Sequence, residues 1–165
     1  MKFTLQTILS LPVDGASSHL LIFNGDVKIL LDCGIPHSFD LTEYLNRANE
    51  LKTVSLVLIS HSSLEYSGAM CFLIEELGLN PKIFYTTQPI MRYSPLNIHE
   101  ELLILRYPGY GKKVFNKIYK NYESIQIVKP HQKKCIDLTT LKSKLQENED
   151  NEMEAEVQDS LMNIS

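Results

Sequence analysis

Four consecutive apolar residues, Leu56-Val-Leu-Ile59, stand between Ser55 and Ser60. A short apolar run without polar alternation predicts a strand buried on both faces. A polar loop over 60–67 follows, and the spacing over 68–77 predicts a helix. Upstream, 3–8 predicts a first strand, and Pro12 and Asp14-Gly15 break the chain into a turn. The apolar arms 19–23 and 27–33 flank Asn24-Gly25, which predicts a hairpin. Asp40 is the expected helix N-cap with Glu43 as its capping-box partner, and Leu41, Tyr44, Leu45 and Ala48 mark one helical face.

Downstream, 82–86 predicts a strand, and Ser94-Pro95 is expected to open a helix running to 103. Over 111–122, Val114, Phe115, Ile118, Tyr119 and Tyr122 share one helical face. Lys112, Lys113, Lys117 and Lys120 lie opposite. The segments 125–128 and 134–138 predict a closing hairpin around Pro130-His131. Strands and helices that interleave in this way predict an α/β fold.

At 165 residues the chain is long enough for one domain with a sizeable core. Its net charge of -4 is unevenly placed. Seven acids (Glu147, Glu149, Asp150, Glu152, Glu154, Glu156, Asp159) crowd the end, and no Lys or Arg follows Lys144. The expected organisation is therefore a domain over 1–140 and an acidic tail over 141–165, helical or disordered. Without those seven acids the rest is mildly basic, too weakly so to indicate nucleic acid by itself. Three widely spaced cysteines, Cys33, Cys71 and Cys135, indicate neither a disulfide frame nor a zinc finger. No stretch has the apolar length of a membrane span, and a soluble intracellular protein is expected.

The candidate chemistry lies in His61-Ser-Ser-Leu-Glu-Tyr-Ser-Gly-Ala69, directly after the central strand. This stretch resembles the zinc-binding turn of metallo-β-lactamase-fold hydrolases, written His-x-His-x-Asp-His and usually followed by Gly-Ala. His61 matches the first histidine. Ser63, Glu65 and Tyr66 stand where the second histidine, the aspartate and the last histidine belong. Further matches are Ser17-Ser-His-Leu-Leu21, Ile29-Leu-Leu-Asp-Cys-Gly34, Leu77-Gly-Leu-Asn80 and Ile83-Phe-Tyr-Thr-Thr-Gln-Pro89. Together they resemble the branch that serves mRNA 3′-end processing, and within it the non-catalytic subunit.

The resemblance implies a partial αββα sandwich, its N-terminal half, with a mixed sheet and flanking helices. It implies a degenerate metal motif at His61, Ser63, Glu65 and Tyr66, with Asp32 bracing the turn by hydrogen bonds. No catalytic residue, metal or cofactor is expected, since a serine hydroxyl and an un-ionised phenol are poor zinc ligands. It further implies a scaffold role in the nucleus, beside the endonuclease subunit and the other subunits of the cleavage and polyadenylation complex. RNA is a further candidate partner, and no membrane is expected. The competing readings are an active zinc-dependent metallohydrolase or RNA endonuclease, and an orphan α/β fragment. The family continues into further strands and ligands, so a fragment of a longer product or a shortened paralogue is expected. His19, His37, His99 and His131 are expected to be packed or solvated residues. The aromatic stripe over 111–122 is expected to face a core, with the lysines in solvent.

Overall fold

The computed structural model describes residues 2–10, 15–24, 26–81, 83–104, 120 and 125–137. Its strands are β1 (Phe3–Ser10), β2 (Ser17–Phe23), β3 (Val27–Leu31), β4 (Val54–Leu58), β5 (Ile83–Thr86) and β6 (Gln126–Ile127). Its helices are α1 (Thr42–Asn46), α2 (Ala48–Lys52), α3 (Leu64–Ser67), α4 (Met70–Glu75) and α5 (Gln88–Ile104). The six strands form one sheet in chain order. β1, β2 and β3 pair antiparallel, whereas β3 through β6 pair parallel. The antiparallel half follows from the tight β2–β3 connection, where Asn24 adopts a left-handed φ of 50°. The parallel half follows from the helices inserted between its strands.

The cross-strand register explains which side chains form the core. Leu20, Leu30, Val57 and Phe84 lie opposite one another across four strands, so they share one face. They cluster with Tyr44, Leu51, Leu64, Met70, Leu73 and Ile98 from the helices. The other face carries the line Leu5, Leu21, Ile29, Leu56 and Ile83. Leu56 and Val57 are both fully buried, so β4 is covered on both faces, as its unbroken apolar run requires. At the β1 edge, by contrast, Phe3 is 67% and Leu5 58% exposed.

Several elements differ from the sequence expectation. Of the helix expected over 68–77 only α4 (Met70–Glu75) forms, and α3 (Leu64–Ser67) lies within the stretch expected as a polar loop over 60–67. The helix expected to open at Ser94-Pro95 begins at Gln88 and holds Pro95 in its interior. Pro89 is the initiating proline, because a missing N–H costs nothing in the first turn. The Met91 amide donates to the Thr87 carbonyl (3.1 Å), which closes that turn. Asp40 does not sit at the N-cap. It lies one residue before the N-cap Leu41, its carboxylate accepts from the Thr42 amide (2.9 Å), and hydrogen bonding to the Thr42 side chain and then to its amide lowers its pKa. Leu45, expected on the buried face, is 55% exposed.

The first arm of the expected closing hairpin is β6. β6 adds in parallel to β5, and 134–137 carries no regular element. A turn does occur at Pro130-His131, where the Gln132 amide donates to the Lys129 carbonyl (3.0 Å). Except for Lys120, the helix expected over 111–122 lies outside the described residues, as do the domain boundary at 140 and the acidic tail. The chain divides into two compact units, residues 1–133 and 134–165.

Candidate functional site

At the C-terminal ends of β3 and β4 the chain builds a hydrogen-bonded turn. Asp32 follows β3 with a left-handed φ of 59°, and its amide donates to the Leu58 carbonyl (2.8 Å). That bend points its carboxylate at Ser60, two residues past the end of β4. Oδ1 accepts from the Ser60 amide (2.7 Å), and Oδ2 accepts from the Ser60 hydroxyl (2.7 Å). The same hydroxyl lies 2.7 Å from Nδ1 of His61. The His61 ring packs on Tyr66, with centroids 4.5 Å apart.

Backbone pairing holds this loop in place. The Cys33 and Ile35 amides donate to the Tyr66 and Leu64 carbonyls (2.8 and 3.0 Å), and the Ala69 amide donates to the Cys33 carbonyl (2.9 Å). Gly34 lies so close to the loop that a Cβ there would sit 1.7 Å from the Glu65 carbonyl oxygen. Ser63 is extended before α3, and its carbonyl accepts from the Tyr66 and Ser67 amides (3.2 and 3.0 Å). From α5, the Asn97 amide group donates to the Ser62 carbonyl (3.1 Å) and bonds its hydroxyl (3.2 Å).

The buried groups behind the turn are chemically quiet. Burial pushes the Cys33 thiol well up, with the nearby Asp32 and Cys71 charges adding to it. A thiol in that state is a poor nucleophile. Burial likewise raises Tyr44, whose hydroxyl donates to the Gly34 carbonyl (2.7 Å). Glu101 of α5 is raised by partial burial and then by the Glu65 charge, with His37 opposing.

Asp32, His61, Ser63, Glu65 and Tyr66 thus belong to one loop system, and Asp32 reaches His61 through Ser60. The expected bracing of the turn by Asp32 does not single out the Ser60 hydroxyl. The signal available was a serine just after one strand beside an aspartate just after its neighbour. Of the remaining histidines, His37 comes near the loop through its charge on Glu101. His19 is on β2 with Nε2 3.1 Å from the Ser17 hydroxyl, His99 is on α5, and His37 and His131 occupy exposed turns.

Catalytic zinc requires about three protein ligands aimed at one point. Among the described residues no group of three or more His, Cys, Asp and Glu is so arranged. Both Asp32 oxygens and the His61 Nδ1 are engaged inside the turn, and serine and tyrosine occupy two of the four motif positions. This donor set does not fit a zinc ion.

A sequence profile described as a metallo-beta-lactamase superfamily domain matches residues 20–147. The chain belongs to that superfamily. Within it, the chain is similar to a Drosophila melanogaster protein named probable cleavage and polyadenylation specificity factor subunit 2. Identity there is 35% over 75 residues, covering 46% of this chain and 10% of that protein. Proteins named cleavage and polyadenylation specificity factor subunit 2 match from Oryza sativa subsp. japonica and Arabidopsis thaliana. Identity is 29% over 93 residues for rice and 33% over 88 residues for Arabidopsis. These matches cover 56% and 52% of this chain, and 12% and 11% of those proteins. The chain thus spans about a tenth of the length of the curated relatives it matches. The mixed sheet with flanking helices is the metallo-β-lactamase-like α/β architecture expected from the sequence.

Proposed function

We propose that this chain is a non-catalytic, metal-free module of the pre-mRNA cleavage and polyadenylation machinery. The observation that carries this reading is the turn at Asp32, Ser60 and His61. There, hydrogen bonds hold the loop that the superfamily uses for zinc, while Ser63 and Tyr66 supply no good ligand. The name shared by its relatives supplies the machinery. In this reading residues 1–140 form the folded module and 141–165 an acidic tail that keeps the free chain soluble.

The role is that of a surface in the nucleus. Its nearest partner is the endonuclease subunit, followed by other subunits of the cleavage complex, with RNA as a further ligand. Exposed Phe3 and Leu5 on β1 and exposed Tyr93 and Leu96 on α5 support a module that works within an assembly. Among the described residues β1 pairs on one side only, leaving a strand edge of the kind that associates. Tagged chain recovered from nuclear extract should bring the endonuclease subunit with it, at a yield unchanged by RNase. Recovery without any cleavage-complex subunit ends this reading.

A further inference from the structure

The contacts around Ser60 determine where the protons of the turn reside. The Ser60 hydroxyl has one proton and two neighbours at 2.7 Å, Oδ2 of Asp32 and Nδ1 of His61. An ionised carboxylate can only accept, so the contact to Asp32 needs the serine proton. If that proton went to His61 instead, two oxygen lone-pair sites would face each other at 2.7 Å with nothing between them. Both contacts are satisfied only when the serine donates to Asp32 and accepts from an N–H at Nδ1 of His61. A neutral imidazole carries one N–H, so Nε2 is left with its lone pair. His61 is exposed, and among the described residues nothing bonds that nitrogen.

We infer that Asp32, Ser60 and His61 form a proton-ordered clasp that fixes His61 as the Nδ1–H tautomer and leaves Nε2 as an open acceptor. Ser60 is the positioning residue: it transmits the carboxylate's demand for a proton to the ring. The clasp also joins the segments that follow β3 and β4. What the turn offers a partner is therefore a fixed acceptor nitrogen, suited to an amide, hydroxyl or guanidinium donor. The Tyr66 ring, packed at a tilt of 37° against His61, limits the reorientation that would break the chain.

The inference rests on the metal-free reading, because zinc on Nε2 would enforce the same tautomer. The test is a two-bond proton–nitrogen correlation spectrum of the full 15N-labelled chain, taken with and without EDTA. The pH is set where the His61 signals no longer move, so that the ring is neutral. The Nδ1–H form should dominate in the wild type and in Ser60→Thr, with EDTA present. Ser60→Ala should shift the population to the Nε2–H form that free imidazole prefers. A wild-type ring in the Nε2–H form, with and without EDTA, overturns the clasp alone. So does a Ser60→Ala ring that stays Nδ1–H. An Nδ1–H form that disappears on adding EDTA overturns the clasp and the metal-free reading together.

Discussion

Gly34→Ala is the sharpest perturbation of the turn. A Cβ at this position would stand 1.7 Å from the Glu65 carbonyl oxygen, 2.5 Å from its carbon and 2.9 Å from the Ser17 amide nitrogen. All three are backbone atoms, so no side-chain rotation relieves the overlap. To accept a methyl group the 33–35 segment must move from the 64–66 loop by more than an ångström. That movement breaks the Cys33–Tyr66 and Ile35–Leu64 backbone bonds and disturbs the Tyr44 hydroxyl bond to the Gly34 carbonyl. Each buried bond contributes about 1 kcal/mol net, and a stranded polar partner costs about 1–3 kcal/mol. We therefore expect a loss of about 3–5 kcal/mol, against a total stability of about 5–15 kcal/mol. In thermal denaturation this is a drop of about 6–20 °C in Tm. Gly78→Ala is the control. Gly78 has a left-handed φ of 71°, but the nearest atom to its added Cβ is Lys52 Cε at 4.0 Å. Only backbone strain of about 1–2 kcal/mol should appear there. A Gly34→Ala midpoint no lower than that of Gly78→Ala would refute the close packing of the turn.

Other substitutions probe the core and the charge near α5. Val57→Asp places an unpaired carboxylate in the fully buried centre of β4 and should abolish soluble expression, whereas Val57→Ile should not. Soluble Val57→Asp with a wild-type melting curve would mean the core is misassigned. Glu101 has a folded-state pKa above its ordinary 4.5, so the native state holds more protons than the unfolded chain between the two values. Stability from this group therefore falls as pH rises through that window and stays lost above it. Glu101→Gln should melt higher than wild type at pH 7, and the gap should close below the ordinary value. A gap that is constant with pH would refute the raised pKa of Glu101, which burial causes first and the Glu65 charge second.

Much of this arrangement was legible in the residues. The unbroken run Leu56-Val-Leu-Ile59 read correctly as a two-face-buried strand, and Asn24-Gly25 marked the β2–β3 connection. The turn was legible because Asp32 and Ser60-His61 each follow an apolar run, which places them at the C-terminal ends of neighbouring parallel strands. Three features were not. Ser94-Pro95 looked like a helix start because local preference favours proline there, yet α5, packed against α3 and the core through Ile98, runs through it. The segment at 125–128 carries strand composition, but composition does not say which neighbour it joins, and it joins β5 in parallel. Ser60 was silent because a hydroxyl's role depends on two partners, one of them 28 residues away.

The central claim is that this superfamily turn holds its shape without a metal. Its most direct test is elemental analysis of the full chain, refolded with excess zinc and dialysed, beside His61→Ala treated in the same way. The account predicts no stoichiometric zinc in either protein. About one or more zinc ions retained per wild-type chain and lost in His61→Ala would contradict it.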